Sequence, residues 1–380
     1  MSAPAYRSLQ VGDHAPWFRQ RCTSNPSYAF DTVAGRYIVL CFFGSAAQES
    51  AQRRLAFVAE HRALFDDVLA AFFGVSVDVE DEASGRVREA LPGIRHFWDA
   101  DRQVSRLFGA LPAEAGDSTA EPFRPRWVVL NPNLQVRAVV PFALDGAEMP
   151  LLRQHLHSLP PLERFGGMEM HAPVILLPDI FEPALCRTLI AAYEHSGGMA
   201  SGFMRDRDGK TVAVHDPGHK VRHDHLIEDE ALRLQIQRRV RNKVAPMIQR
   251  IHEFEATRME RYLVGCYDSS DGGHFRPHRD NTTRGTAHRR FALSLNLNDD
   301  FDGGDIVFPE YGPRRYKPPA GAGVVFSCSL LHAVEPVRRG RRYAFLPFLY
   351  DDRAAAVREA NSQFLEQDGE PYRMLKPAPG

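Results

Sequence analysis

Apolar runs rich in β-branched and aromatic residues stand at 37–43 (YIVLCFF), 68–77 (VLAAFFGVSV), 127–130 (WVVL) and 136–142 (VRAVVPF). Each has the length and composition of a strand. Between them, 49–65 places Leu55, Val58, Leu64 and Phe65 at helical spacing, and 101–110 sets Val104, Leu107 and Phe108 on one side of a short helix. The order β-α-β-α-β-β predicts an α/β sheet domain. Pro160, Pro161, Gly166 and Gly167 then gather within 155–170, the composition of an interdomain link. The expected domains are therefore 1–160 and 161–380.

The second domain opens with a predicted strand at 173–177 and a helix at 183–195, whose Pro183 suits a first helical position. A longer helical pattern runs over 229–255 through Leu232, Ile236, Val240, Val244, Ile248 and Ile251. From 258 onward the chain changes to short apolar or alternating runs (RYLVGCY, HFRPH, FALSLNL, DIVF, GVVFS, AVEPV, RYAFLPF) broken by DSSDGG, DDFDGG and RRG. Such spacing predicts a β-sandwich or barrel. The long polar stretch 201–221 reads as a mobile loop or lid near an active site.

Composition narrows the function classes. At 380 residues, with 44% hydrophobic and 25% charged residues, the chain is ordinary globular material rather than collagenous, fibrous or disordered. Its 47 basic and 48 acidic residues leave a net charge of −1, with no offsetting block in either half. That balance gives no reason to expect nucleic acid or an anionic membrane as partner. The start, MSAPAYRSLQ, lacks a leader pattern, and no apolar run approaches the roughly 18 residues of a membrane span. The five cysteines (22, 41, 186, 266, 328) form no CxxC pair. Buried free thiols in a reducing cytoplasm are the expectation.

The chemistry concentrates in the second domain. His278-Arg-Asp280 is the one His-x-Asp of the chain, and His332 follows on another predicted strand. Residues two apart on a strand project to one face, so His278 and Asp280 can converge, and a second imidazole would complete a facial triad. Two imidazoles and one carboxylate leave three positions of an octahedral ion open, which suits non-haem Fe(II) rather than four-ligand zinc. Arg342, ten residues past His332 on the predicted strand RYAFLPF, would need a carboxylate partner inside a barrel, and a dicarboxylate ligand supplies one bidentately.

With YLVGCYDSSDGGHFRPHRDN (262–281), LNLNDDFDGGDIVFPEYG (295–312) and HAVEPVRRGRRYAF (332–345), the stretch 170–355 resembles the iron(II)/2-oxoglutarate-dependent dioxygenases of the prolyl 4-hydroxylase-like branch. The resemblance implies a double-stranded β-helix (jelly-roll) domain with His278, Asp280 and His332 as iron ligands. Arg342 would be the partner of the distal 2-oxoglutarate carboxylate. Tyr267, shifted by one residue from the family position, and Asn296 are further candidates for co-substrate binding. Phe275 stands where several relatives carry Tyr. The implied reaction consumes 2-oxoglutarate and O2, releases succinate and CO2 and hydroxylates a C–H bond of a peptide, protein or small-molecule substrate, with ascorbate as reductant.

VGDHAPWF (11–18), YIVLCFFGS (37–45), HFWDADRQVSRLFGAL (96–111) and WVVLNPNLQVRA (127–138) resemble the thioredoxin-like fold of the peroxiredoxins. Peroxidase chemistry in that family needs a thiolate in the turn after the first central strand. Here the turn reads Gly44-Ser45-Ala46-Ala47-Gln48-Glu49-Ser50. The expected fold class is thus a thioredoxin-like α/β domain without its cysteine, used for docking, substrate presentation or a homodimer, followed by a jelly-roll α+β domain. Two readings compete: a thiol peroxidase through Cys22 or Cys41, and a non-catalytic metal-binding docking protein. Locally, His223-Asp-His225 reads as a solvated loop, and the aspartates between 268 and 305 read as turn residues rather than calcium ligands.

Overall fold

The computed structural model describes residues 5–114, 121–367 and 370–371, so residues 1–4 of the MSAPAYRSLQ start lie outside the described residues. The chain divides into two units, Met1–His171 with Pro309–Arg314, and Ala172–Phe308 with Arg315–Gly380.

In the first unit the strands are β1 (Arg19–Cys22), β2 (Asn25–Ala29), β3 (Tyr37–Gly44), β4 (Ala70–Ser76), β5 (Ile94–Trp98), β6 (Arg126–Leu130) and β7 (Val136–Pro141). They form one sheet in the order β2-β1-β5-β4-β3-β6-β7. The continuous apolar runs of β3 and β4 lie at its centre, parallel to each other and buried along their whole length. Unbroken hydrophobicity is what a strand covered on both faces requires. Strand β5 extends the parallel set, while β6 and β7 return antiparallel, giving the thioredoxin-like arrangement. The helix Glu49–Glu60 is tied to the helix Glu148–His157 by a buried ion pair, Arg54 Nε to Glu148 Oε1 at 2.8 Å.

The turn between β3 and the Glu49–Glu60 helix carries no thiol. The Ala46 amide donates to Asp81 Oδ2 at 2.9 Å, and Ser45 Oγ donates to Asp78 at 2.6 Å. Carboxylates thus already use the donors of this turn. Cys41 lies inside β3 and Cys22 at the end of β1, both buried and unpaired, and burial raises both thiols.

In the second unit the larger sheet runs Arg258–Glu260, Phe348–Tyr350, Phe291–Asn296, Arg341–Phe345, Leu263–Asp268, His223–Leu226 and Met199–Ala200, with Gly323–Ser327 and Ile175–Leu177 added on the Phe291–Asn296 side. The smaller sheet runs Lys220–Val221, His274–His278, His332–Val334, Ile306–Val307 and Arg315–Tyr316. Alternation along the larger sheet separates two environments. Val264, Cys266, Tyr343 and Phe345 join a core with Leu189 of the Pro183–Ser196 helix and Val240, Val244 and Ile248 of the following helical segment. Tyr267 instead enters a second core with Phe275 and Val334 of the smaller sheet and with Phe203, Phe301 and Val337.

The helical pattern expected over 229–255 is present, and two other local expectations are corrected. The helical pattern over 229–255 forms Glu230–Arg239 and Ala245–His252 joined by a π turn at Val240–Val244, and it ends where Glu253 turns left-handed at φ 51°. Pro246 lacks the N–H that a regular α-turn would use, which accounts for the wider turn before it. The expected loop at 201–221 contains an antiparallel hairpin, Phe203–Arg207 with Lys210–Val214. Its Asp208-Gly209 turn has φ of 50° and 77°, the type I′ geometry that Asp-Gly favours. His223–Leu226 is likewise a strand, and Asp224 within it is buried in ion pairs rather than solvated. Among the described residues no helix is long and apolar enough to cross a membrane.

Candidate metal centre

His278 ends one strand of the smaller sheet and His332 begins the next, directly opposite in the ladder. Between Phe275 and His278 the register slips by one residue. Pro277 has no N–H to give the ladder, and a bulge at this point re-aims His278 toward His332. The imidazoles end 4.2 Å apart between centroids. Asp280 follows the strand, and its amide donates to Cys328 O at 2.9 Å. Its two oxygens then face the rings, with Oδ1 3.6 Å from His278 Nε2 and Oδ2 3.4 Å from His332 Nε2. Ligand atoms of the three residues all lie within 4.8 Å of one another, and this is the one such His/Cys/Asp/Glu group among the described residues.

The protonation pattern is that of a ligand set. His278 Nδ1 lies 2.8 Å from Arg276 O and His332 Nδ1 3.0 Å from Leu330 O. A carbonyl only accepts, so each Nδ1 carries the hydrogen and each Nε2 presents a lone pair toward the centre. Burial, helped by the neighbouring His332, lowers the His278 ring to about 4. Burial alone would raise the Asp280 carboxyl, but the charge that His332 and His278 carry when protonated holds it below the ordinary range. Phe275 stacks on His278 with centroids 3.5 Å apart and restrains that ring.

Arg342 comes from the larger sheet. It is 1% exposed, whereas the side chain of Arg341, its neighbour, is 52% exposed and pairs with Asp268. Arg342 Nε donates to Asn296 Oδ1 at 2.9 Å and Nη2 to Ser294 Oγ at 2.8 Å, while Nη1 is buried without a partner among the described residues. Tyr267 is its register partner on the adjacent strand, and the guanidinium lies over the Tyr267 ring at 5.4 Å.

The 2OG-Fe(II) oxygenase superfamily matches residues 260–350, and the AhpC/TSA family matches residues 11–139. A PKHD-type hydroxylase of Bordetella pertussis is 30% identical over 225 residues, which is 54% of this chain and 90% of that protein. One from Synechococcus is 37% identical over 89 residues, 22% of this chain and 39% of that protein, so the chain spans well under half the length of that relative. A solved Trichoplax adhaerens prolyl hydroxylase, in complex with a peptide fragment of the hypoxia inducible factor oxygen degradation domain, has 16% identity and a TM-score of 0.40. It covers 55% of this chain and 95% of that chain.

The chain belongs to the 2OG-Fe(II) oxygenase superfamily.

Membership of the 2OG-Fe(II) oxygenases implies Fe(II) and 2-oxoglutarate, and the residues present fit both. Two imidazoles and a carboxylate converge with their ligand atoms within 4.8 Å of one another, and among the described residues the buried Arg342 Nη1 has no hydrogen-bond partner, which suits an anion. Of the six residues singled out in the sequence, His278, Asp280 and His332 converge on one point, and Arg342 and Tyr267 adjoin each other on the larger sheet. Asn296 lies beside Arg342: its Oδ1 accepts from Arg342 Nε at 2.9 Å and its Nδ2 donates to Pro318 O at 2.7 Å, which leaves one amide N–H of Asn296 over. Sequence reasoning missed Ser294, Arg222 and Asp224. A signal for Ser294 existed: in FALSLN, Ser294 and Asn296 are polar residues two apart on an otherwise apolar strand, hence on one face.

Proposed function

We propose that this protein is a 2-oxoglutarate- and O2-dependent hydroxylase, with His278, Asp280 and His332 as iron ligands and Arg342 as the anchor of the distal co-substrate carboxylate. The observation that carries this reading is the pairing of the three-residue donor set with a buried guanidinium whose Nη1 has no partner. Bound Fe(II) with 2-oxoglutarate and O2 supplies oxidative decarboxylation to succinate and CO2, coupled to hydroxylation of an unactivated C–H bond.

The chain's own groups bind, orient and shield. The Nδ1 hydrogen bonds keep both imidazoles in the tautomer that offers Nε2. Asn296 and Ser294 fix the plane of the Arg342 fork. The apolar residues Phe275, Phe301, Val334 and Val337 limit water around the site. We read the larger and smaller sheets of the second unit as a double-stranded β-helix. The first unit we assign to docking or substrate presentation, without thiol chemistry, because the turn that would hold a peroxidatic cysteine is occupied by Asp78 and Asp81. A thiol peroxidase through Cys22 or Cys41 is not favoured, since burial raises both thiols. The proposed substrate is a side chain of a peptide or protein, supported by the partial exposure of His278 and Asp280, and ascorbate is the proposed reductant.

The test is O2-dependent conversion of 2-oxoglutarate to succinate by the Fe(II)-loaded protein. The expected result is succinate formation that Asp280→Ala and His332→Ala abolish. Equal turnover by wild type and both variants would reject the assignment.

A further inference from the structure

Tyr267 is the middle of a three-residue row across the larger sheet. On one side its register partner is Arg342. On the other, the ladder pairs His223 with Cys266 and Asp224 with Gly265, and its continuation sets Arg222 opposite Tyr267. Arg222 Nη1 donates to Tyr267 Oη at 3.3 Å, and Arg342 lies over the ring of the same tyrosine. One phenol thus stands between two buried guanidiniums.

The two guanidiniums are partnered differently. Arg222 is held by Asp224 through two hydrogen bonds, Nε to Oδ1 at 2.6 Å and Nη2 to Oδ2 at 2.7 Å. Ser201 Oγ adds a further bond to Asp224 at 2.5 Å. Gly265 makes the arrangement possible, because a Cβ there would stand 3.0 Å from Arg222 Cδ and 2.9 Å from Leu346 Cδ1. The fork of Arg222 is therefore spent on Asp224, Ser201 and Tyr267, and Asp224 also takes Arg261 Nη2 at 3.3 Å. Among the described residues Arg342 touches no carboxylate and its Nη1 has no hydrogen-bond partner.

The consequence is directional. A phenol oxygen that accepts from Arg222 has its own hydrogen free to point elsewhere, and a guanidinium can only donate, so that hydrogen bonds neither Arg222 nor Arg342. An anion on Arg342 Nη1 would be the acceptor left for it. We propose that Arg222 and Asp224 are a positioning pair that fixes Tyr267 as a second hydrogen-bond donor to the distal carboxylate of 2-oxoglutarate. The inference rests on the hydroxylase reading above. Arg222 and Asp224 act through Tyr267 and need not touch the co-substrate.

The experiment titrates 2-oxoglutarate into the full-length Fe(II) protein without oxygen and follows the visible metal-to-ligand charge-transfer band. Variants are Tyr267→Phe and the paired Arg222→Met/Asp224→Leu, which removes both charges of the pair together, with Arg261 losing only its 3.3 Å contact to Asp224. Each should raise the Kd for 2-oxoglutarate about tenfold with Fe(II) affinity unchanged, as expected for one lost bond to a charged group. Their combination should raise it no further, because both remove the same bond. A paired variant that binds like wild type, an unaffected Tyr267→Phe, or a combination that multiplies the two effects would overturn the proposal. If the paired variant does not fold, Arg222→Lys takes its place in the same cycle. It keeps a charge but loses the fork, so it should weaken binding in the Tyr267 background and not in the Phe background. A wild-type protein with no band would count against the hydroxylase reading instead.

Discussion

Arg342 brings five N–H donors into a space that gives it two acceptors, Asn296 Oδ1 and Ser294 Oγ. Burial and the nearby Arg222 both disfavour its charge, so the guanidinium costs stability until an anion arrives. Arg342→Met should therefore leave the ligand-free protein as heat-stable as wild type or more so. The same substitution should weaken 2-oxoglutarate by about 2–5 kcal/mol, the range for losing one partner of a buried charged pair. Thermal shift with and without Fe(II) and 2-oxoglutarate checks both halves, and a large loss of ligand-free stability would contradict the account. His96 carries a separate consequence. Among the described residues neither ring nitrogen has a partner, and burial lowers the ring to about 3. The unfolded chain, near the ordinary 6.5, binds the proton more readily, so this stability is complete above pH 6.5 and is lost as the pH falls toward 3. Denaturation of wild type and His96→Phe at pH 7.5 and pH 4 should show the gap between them move by about 3 kcal/mol in favour of the variant. A gap that does not move would mean that the ring finds a partner.

Elements differ in how openly the sequence declares them. The donors His278, Asp280 and His332 were legible because His-x-Asp and the following His sit on short strands bounded by turn residues, and strand geometry limits where they can point. Arg342 was separable from Arg341 for the same reason, since neighbours on a strand face opposite ways. The row Arg222–Tyr267–Arg342 was not legible, because it depends on the register of three strands distant in the chain. Asp224 was misread since a charged run such as KVRHDH looks solvated until its cation partners are known. The hairpin at 203–214 carried its signal in Asp208-Gly209, which the surrounding polarity masked. Gly209, at φ 77°, would meet nothing within 4 Å through an added Cβ, so the cost of Gly209→Ala is backbone strain alone. That substitution should destabilise the hairpin by about 1 kcal/mol, read as faster proteolysis at 203–214. Unchanged cleavage would show that the turn does not hold the hairpin.

For the molecule as a whole, the two units carry different chemical potential. The second holds converging ligands and an orphaned cation, whereas the first has a thioredoxin-like sheet whose turn after β3 carries no cysteine and donates to Asp78 and Asp81. All five cysteines are buried and free. The Cys22→Ser/Cys41→Ser variant should therefore form succinate at the wild-type rate, and neither protein should consume peroxide with a thiol reductant. Peroxide turnover lost in the variant would restore the peroxidase reading. The central claim is that His278, Asp280 and His332 hold Fe(II) beside an Arg342 that anchors 2-oxoglutarate. Its most direct test is the anaerobic charge-transfer band of the wild type, compared with His278→Ala and Arg342→Ala at equal Fe(II) and 2-oxoglutarate. The account predicts a band in the wild type, its loss in His278→Ala and its appearance only at much higher 2-oxoglutarate in Arg342→Ala. No band in the reduced wild-type protein, or one indifferent to both substitutions, would contradict it.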